Sequence, residues 1–168
     1  MLNSMININI TRFVLLVLAQ VWILNNVNLL GYINPMIYVL FLYWYPLRQN
    51  RSVFLLASFA LGFVIDIFSD TMAIHAISCM TLAYIRPLLL RFCYGNNYEF
   101  QGFSYTNTTR LQRITFIILL VVIHHLIFFS LEILSFSHFV LILKKVLFTS
   151  GISLFLCLLI SSLFAKPS

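Results

Sequence analysis

Asp66 and Asp70 stand four residues apart in an apolar stretch, a spacing that puts both carboxylates on one helix face. A carboxylate pair is the equipment of acid–base hydrolysis. An intramembrane aspartyl enzyme, however, brings its acids from two separate helices, which one face does not supply. His75 follows closely and can hydrogen-bond an aspartate across the intervening turn. His124 and His125 are adjacent; on a helix their side chains diverge by about 100°, so at most one enters a given pocket. The three cysteines, Cys79, Cys93 and Cys157, are scattered without a CxxC spacing, and the ligand set for zinc is not met. No phosphate-binding glycine loop, HExxH or GxSxG motif is present. The expectation is a non-enzyme with no cofactor and no metal.

The elements that carry these residues follow from composition. Of the 168 residues, 62% are hydrophobic and 8% charged, with a mean hydropathy of +1.02. A soluble domain carries roughly 25% charged residues. So much apolar surface cannot be buried inside a chain of this size, and lipid must be its solvent. The apolar runs are continuous, which excludes the short alternating strands of an outer-membrane barrel. Six spans are expected, at about residues 10–30, 34–47, 52–69, 73–92, 113–134 and 138–164, forming one all-α domain. The second is short: Asn34-Pro35 reads as an N-cap with proline in the first helical position. Tyr43-Trp44-Tyr45 at its end forms an aromatic interfacial cluster. The stretch Val17-Leu18-Ala19 is a weak signal-cleavage site, but the apolar run continues past it and an uncleaved first span is expected.

In lipid an ionisable side chain is expensive and therefore informative. Gly62 lies one turn before Asp66, lets a neighbouring helix approach, and turns the acid toward protein. Asp66 and His75 then either fasten a helical hairpin or contact a partner or ligand. Arg86 precedes Pro87, whose ring frees a carbonyl one turn earlier; the guanidinium either takes such acceptors or snorkels to the headgroups. Gln20 is an interhelical hydrogen-bonding group, and Glu132 an interfacial acid.

Orientation follows from the ten Lys and Arg residues. Eight of them, Arg12, Arg48, Arg51, Arg86, Arg91, Arg110, Arg113 and Lys166, fall on one side of the six-span arrangement. That places both termini and the 94–112 loop in the cytoplasm, and the net charge of +6 reflects retained loops rather than nucleic-acid binding. Lys144 and Lys145 dissent: they snorkel outward, or the last span begins near Val146. Arg91, Arg110 and Arg113 flank the 94–112 loop, which reads as a plain basic loop or as a contact for anionic lipid or a cytoplasmic partner.

Asn34-Pro35, Tyr45-Pro46-Leu47, Leu61-Gly62-x-x-x-Asp66, His75-Ala76 and Ala83-Tyr84-Ile85-Arg86-Pro87 together resemble the rod-shape-determining MreD family over residues 30–92. Relatives in that family commonly carry glycines in the turn between Asp and His, where this chain has Asp70-Thr71-Met72-Ala73. The resemblance implies an inner-membrane scaffold of the bacterial elongation (rod) complex, serving cell shape and lateral peptidoglycan synthesis. Its implied partners are MreC, directly through transmembrane helices, and the wider complex of MreB, RodA and a class B penicillin-binding transpeptidase. The implied fold is a compact six-helix bundle similar to the substrate-binding components of energy-coupling-factor transporters, and a vitamin-type small-molecule-binding transporter component is the alternative function. Pro35, Gly62, Asp66, His75 and Arg86 are the candidate helix–helix or partner contacts.

Overall fold

The computed structural model describes residues 2–27, 33–47, 49–99, 103, 105, 108–133 and 139–164. Among these the chain is helical, with no β-strand. Helix α1 (Leu2–Leu18) passes into one π turn (Ala19–Ile23) and one 3₁₀ turn (Leu24–Asn26). Then come α2 (Val39–Trp44), α3 (Arg51–Ser69), α4 (Ile74–Tyr94), a 3₁₀ turn (Gly95–Glu99), α5 (Arg110–Ile133) and α6 (Phe139–Leu163). Five of these segments, Ile6–Asn26 and α3 to α6, are long and apolar enough to cross a membrane. Their outward faces carry large apolar side chains such as Trp22, Leu56, Leu88, Phe92 and Leu147, as a lipid-facing surface requires. The chain is a multi-pass membrane protein. Arg48, Lys166, His138 and Leu134 lie outside the described residues, as do Asn28 to Tyr32 and residues 100–102.

The expected second span needs correction. Only Val39–Trp44 is helical, and Asn34-Pro35 does not open a helix. The segment nonetheless travels the length of the bundle, antiparallel to α1: Gln20 meets Pro35 and Arg12 meets Trp44. Length explains the departure. Fifteen residues of helix would reach only about 22 Å, short of a ~30 Å hydrocarbon core. A non-helical run, at up to about 3.3 Å per residue, recovers the difference. The segment is threaded through the centre: residues 35–43 are all buried, and α2 packs against α1, α4 and α5.

The other helices start and stop where local chemistry directs. Asn50 caps α3, its Oδ1 accepting the Ser52 N–H at 2.9 Å. Thr109 and Gln112 form a reciprocal capping box at the start of α5: Thr109 N–H donates to Gln112 Oε1 at 3.1 Å and Gln112 N–H to Thr109 Oγ1 at 3.2 Å. Helix α4 runs through Pro87 without a break. Helices α3, α4, α5 and α6 pack each on the next, so the ends alternate. Arg12, Arg51, Arg91, Arg110 and Arg113 share one end with Trp44 and Phe164, whose rings meet edge-on at 5.9 Å. Asn25, Ser69, Thr71, Glu132 and Lys145 share the other.

The α3–α4 hairpin is the tightest crossing. A Cβ on Gly62 would lie 2.5 Å from the Ala76 Cα, the Ala76 nitrogen and the His75 carbonyl carbon. The connecting turn holds Asp70 at φ 53° and Ala73 at φ 60°, two left-handed positions where a glycine would sit without strain. Gly62→Ala should therefore lower stability by about 3 kcal/mol through overpacking, while Ala73→Gly should raise it by about 1 kcal/mol by relieving the left-handed cost. Thermal unfolding of the purified protein in detergent reads both, and the two shifts must have opposite signs.

Candidate functional site

The bundle interior contains a polar seam built around the non-helical stretch at 33–37. Backbone groups freed from a helix cannot be left bare away from water, and three side chains take them. The π turn in α1 brings Gln20 inward, where it is 1% exposed. Its Nε2 donates to Pro35 O and to Asn25 Oδ1, both at 3.0 Å, and its Oε1 accepts the Ile37 N–H at 3.0 Å. The Met36 N–H donates to Ser153 Oγ of α6 at 2.9 Å. Pro35 has no N–H to satisfy. At the other end of the segment one terminal nitrogen of Arg86 shares its two hydrogens among Tyr45 O (2.6 Å), Tyr105 Oη (3.2 Å) and Tyr43 O (3.3 Å), with the guanidinium 4.8 Å above the Phe54 ring.

Ser153 extends the seam. His125 Nδ1 lies 2.7 Å from Val121 O, an acceptor, so this nitrogen carries the proton. Nε2 then accepts from Ser153 Oγ–H at 3.1 Å, and the hydroxyl is both donor to His125 and acceptor from Met36. Next to it, Tyr38 is fully buried, its hydroxyl 2.6 Å from His75 Nδ1 and 3.2 Å from His124 Nε2. The hydroxyl has one hydrogen for the two imidazoles and for Met36 Sδ at 3.5 Å, so at least one imidazole nitrogen donates to it. His124 and His125 both enter the core. The expectation that at most one enters a given pocket does not hold: both rings are buried in the same interior, 5.6 Å apart, with His124 joining Tyr38 and Cys79 and His125 joining Ser153.

Asp66 is buried and serves as an N-cap supplied by a neighbouring helix. Its Oδ1 accepts the His75 N–H at 3.0 Å and the Thr71 hydroxyl, and its Oδ2 accepts the Ala76 N–H at 2.8 Å. The two amides are orphan donors of the first turn of α4, whose own flanking residue, Ala73, has no capping side chain. The bond from Asp66 to His75 thus uses the backbone amide, not the imidazole. Arg86 does not snorkel; it is 4% exposed. Its acceptors are the carbonyls of Tyr43 and Tyr45, not the one Pro87 frees. Asp70 is exposed and does not pair with Asp66.

Gly62, Asp66 and His75 are thus occupied within the chain, and Pro35 is buried beside Gln20. At the basic end, Arg91 and Arg110 are exposed and Arg113 half-buried; Arg91 Nε donates to Asn96 Oδ1 at 2.9 Å. Among the described residues none of the three has a carboxylate partner. Burial pushes the Tyr105 phenol up and Arg86 pulls it the other way. Lys144 and Lys145 fall in the second turn of α6, which begins well before Val146. Lys145 pairs with Glu132 at 3.0 Å and lies 5.4 Å from the Phe129 ring centre, so Glu132 is more than an interfacial acid. Among the described residues no group of three His, Cys, Asp or Glu side chains is placed to hold a metal ion.

At the end opposite the arginines the helices open into a cup of about 380 Å³. Ser153, Tyr38, Asn25 and Asn34 matter to this interior; the sequence marks Asn25 only as part of the polar far end of the first span and Asn34 for another role, and leaves Ser153 and Tyr38 unmarked. A serine or tyrosine inside an apolar run carries no periodic signal of its own. No family model, curated protein or solved structure matches the chain.

Arg86→Met leaves two carbonyls without a donor and should cost about 2–3 kcal/mol. Tyr105→Phe removes one neutral acceptor and should cost about 1 kcal/mol. Unfolding in mixed micelles by increasing denaturing detergent ranks the two, with Arg86→Met the larger.

Proposed function

We propose that this chain is an MreD-type scaffold of the bacterial elongation complex, a non-enzymatic subunit of the inner membrane with both termini in the cytoplasm. On this reading it binds MreC through transmembrane helices and contributes to lateral peptidoglycan synthesis alongside MreB, RodA and a class B penicillin-binding transpeptidase. The observation that carries the reading is how the residues of the resemblance are used. Gly62 seats His75-Ala76, Asp66 caps the same two residues, and Arg86 holds the carbonyl of Tyr45 next to Pro46. They form one internal frame. Residues spent on a frame, with none left displayed as a reacting pair, suit a subunit whose task is to present helix faces.

Those faces are available. The first span, Ile6–Asn26, is the most peripheral and shows Ile10, Leu15, Trp22 and Ile23 outward. Helix–helix association in lipid relies on close packing and buried polar groups more than on hydrophobicity. The arginines gathered at the basic end support the cytoplasmic placement of that end and a contact with anionic lipid headgroups.

A small-molecule-binding transporter component is the second reading, favoured by the cup at the opposite end. Affinity purification in mild detergent followed by mass spectrometry separates them. The scaffold reading expects MreC and the transpeptidase in the eluate, and rounded cells on depletion. Recovery of an ATPase module without MreC would overturn it.

A further inference from the structure

Arg12 stands on the first span, six residues past its start at Ile6, about 9 Å along the helix. A guanidinium at that depth is costly unless something answers its charge. Arg86, deep in α4, is enclosed and shares its hydrogens among two carbonyls and a hydroxyl. Arg12 is only half-buried. Of its five N–H donors, it gives one to Trp44 O at 3.3 Å. Among the described residues it has no carboxylate partner and no second acceptor.

Apolar side chains frame that cation. The guanidinium carbon lies 5.4 Å from the centre of the Trp44 ring, and the same ring meets Phe164 edge-on at 5.9 Å. Trp44 is thereby held, half-buried, between α1 and the end of α6, with Phe164 exposed beside it. On α1, Ile8 lies one turn before Arg12 and Leu15 one turn after, on the same face, and both are exposed. A phosphate with acyl chains attached matches this surface: two oxygens for the guanidinium fork, and hydrocarbon for Leu15, Trp44 and Phe164. Charge selects among such lipids. Arg51, Arg91 and Arg110 stand at the same end of the bundle, so a zwitterionic head would bring its own cation into a positive potential, and a net anion would not.

We propose that the phosphate of an anionic glycerophospholipid binds Arg12, with its acyl chains against Leu15, Trp44 and Phe164 between α1 and the end of α6. This is one lipid at a defined place, distinct from the diffuse attraction of Arg91, Arg110 and Arg113. The site does not depend on the choice between scaffold and transporter component: copurification tests that choice, and lipid selectivity at a single tryptophan tests this one.

The chain has two tryptophans, Trp22 and Trp44, and brominated acyl chains quench tryptophan fluorescence on contact. The test reconstitutes the full chain in vesicles of phosphatidylcholine and phosphatidylglycerol, one or the other brominated near the head of its chains. In Trp22→Phe only Trp44 reports. Phosphatidylglycerol should be preferred there by about fivefold, the effect of one basic residue on an anionic lipid. In Trp44→Phe, Trp22 reports the ordinary lipid shell further along the same span, where the two lipids should quench alike. Adding Arg12→Gln to Trp22→Phe should erase the preference at Trp44, and Arg12→Lys should retain most of it. A free phosphate cannot quench, so the signal reads lipid alone. Equal quenching by both lipids at Trp44, the same preference at Trp22 as at Trp44, or a preference untouched by Arg12→Gln overturns the proposal. The first two results need no substitution at Arg12 and decide the matter even where Arg12→Gln does not fold.

Discussion

The architecture depends on how a buried, partly unwound crossing segment satisfies its backbone. Residues 33–47 pass through the middle of a bundle surrounded by acyl chains, where an unpaired N–H or C=O costs several kcal/mol. A regular helix would meet that demand internally but is too short at this length to reach across. The chain instead uses a short helix with a non-helical lead-in and lends it donors and acceptors from elsewhere: Gln20 from α1, Ser153 from α6, Arg86 from α4. Each is a polar residue that would be unfavourable in its own helix without that role. Removal of any one exposes backbone rather than a side chain.

The same requirement organises the rest. The π turn that aims Gln20 inward, the serine–histidine chain from Met36 to Val121, and the Tyr38 hydroxyl between two imidazoles are all consequences of a crowded, water-poor centre. The α3–α4 hairpin solves a related problem at its tip. Two left-handed residues make the turn, and Asp66 reaches from α3 to terminate the amide ladder of α4. Polarity is thereby concentrated along one seam that runs from the arginine-bearing end to an open cup, while the outer faces stay apolar.

Much of this was legible in the residues, and the exceptions have physical causes. The long apolar runs mark α3 to α6 to within a few residues, because span length and hydropathy are set by the bilayer; the first span, expected at 10–30, is helical from Leu2 and qualifies over Ile6–Asn26. Gly62 reads correctly as a close approach, since no other residue type permits one. The 34–47 segment misleads because Asn-Pro before an apolar run has the form of a helix start, and the partners that replace helical hydrogen bonds lie 15 to 117 positions away in sequence. The Asp66–His75 relation is right in its residues and wrong in its atoms: a helix N-terminus offers amides, which outcompete an imidazole already held by Tyr38. Thr109 and Gln112 carry a capping box in plain sight. The Glu132–Lys145 pair shows only once α5 and α6 are seen to be antiparallel.

Hydrogen–deuterium exchange at the Met36 and Ile37 amides, measured by mass spectrometry in nanodiscs, addresses the central claim most directly. The account predicts slow exchange at both, comparable with buried amides of α5. In Gln20→Leu it predicts faster exchange at Ile37 while α5 stays protected. Exchange at Met36 and Ile37 as rapid in the wild type as at the first turn of α1 would contradict it.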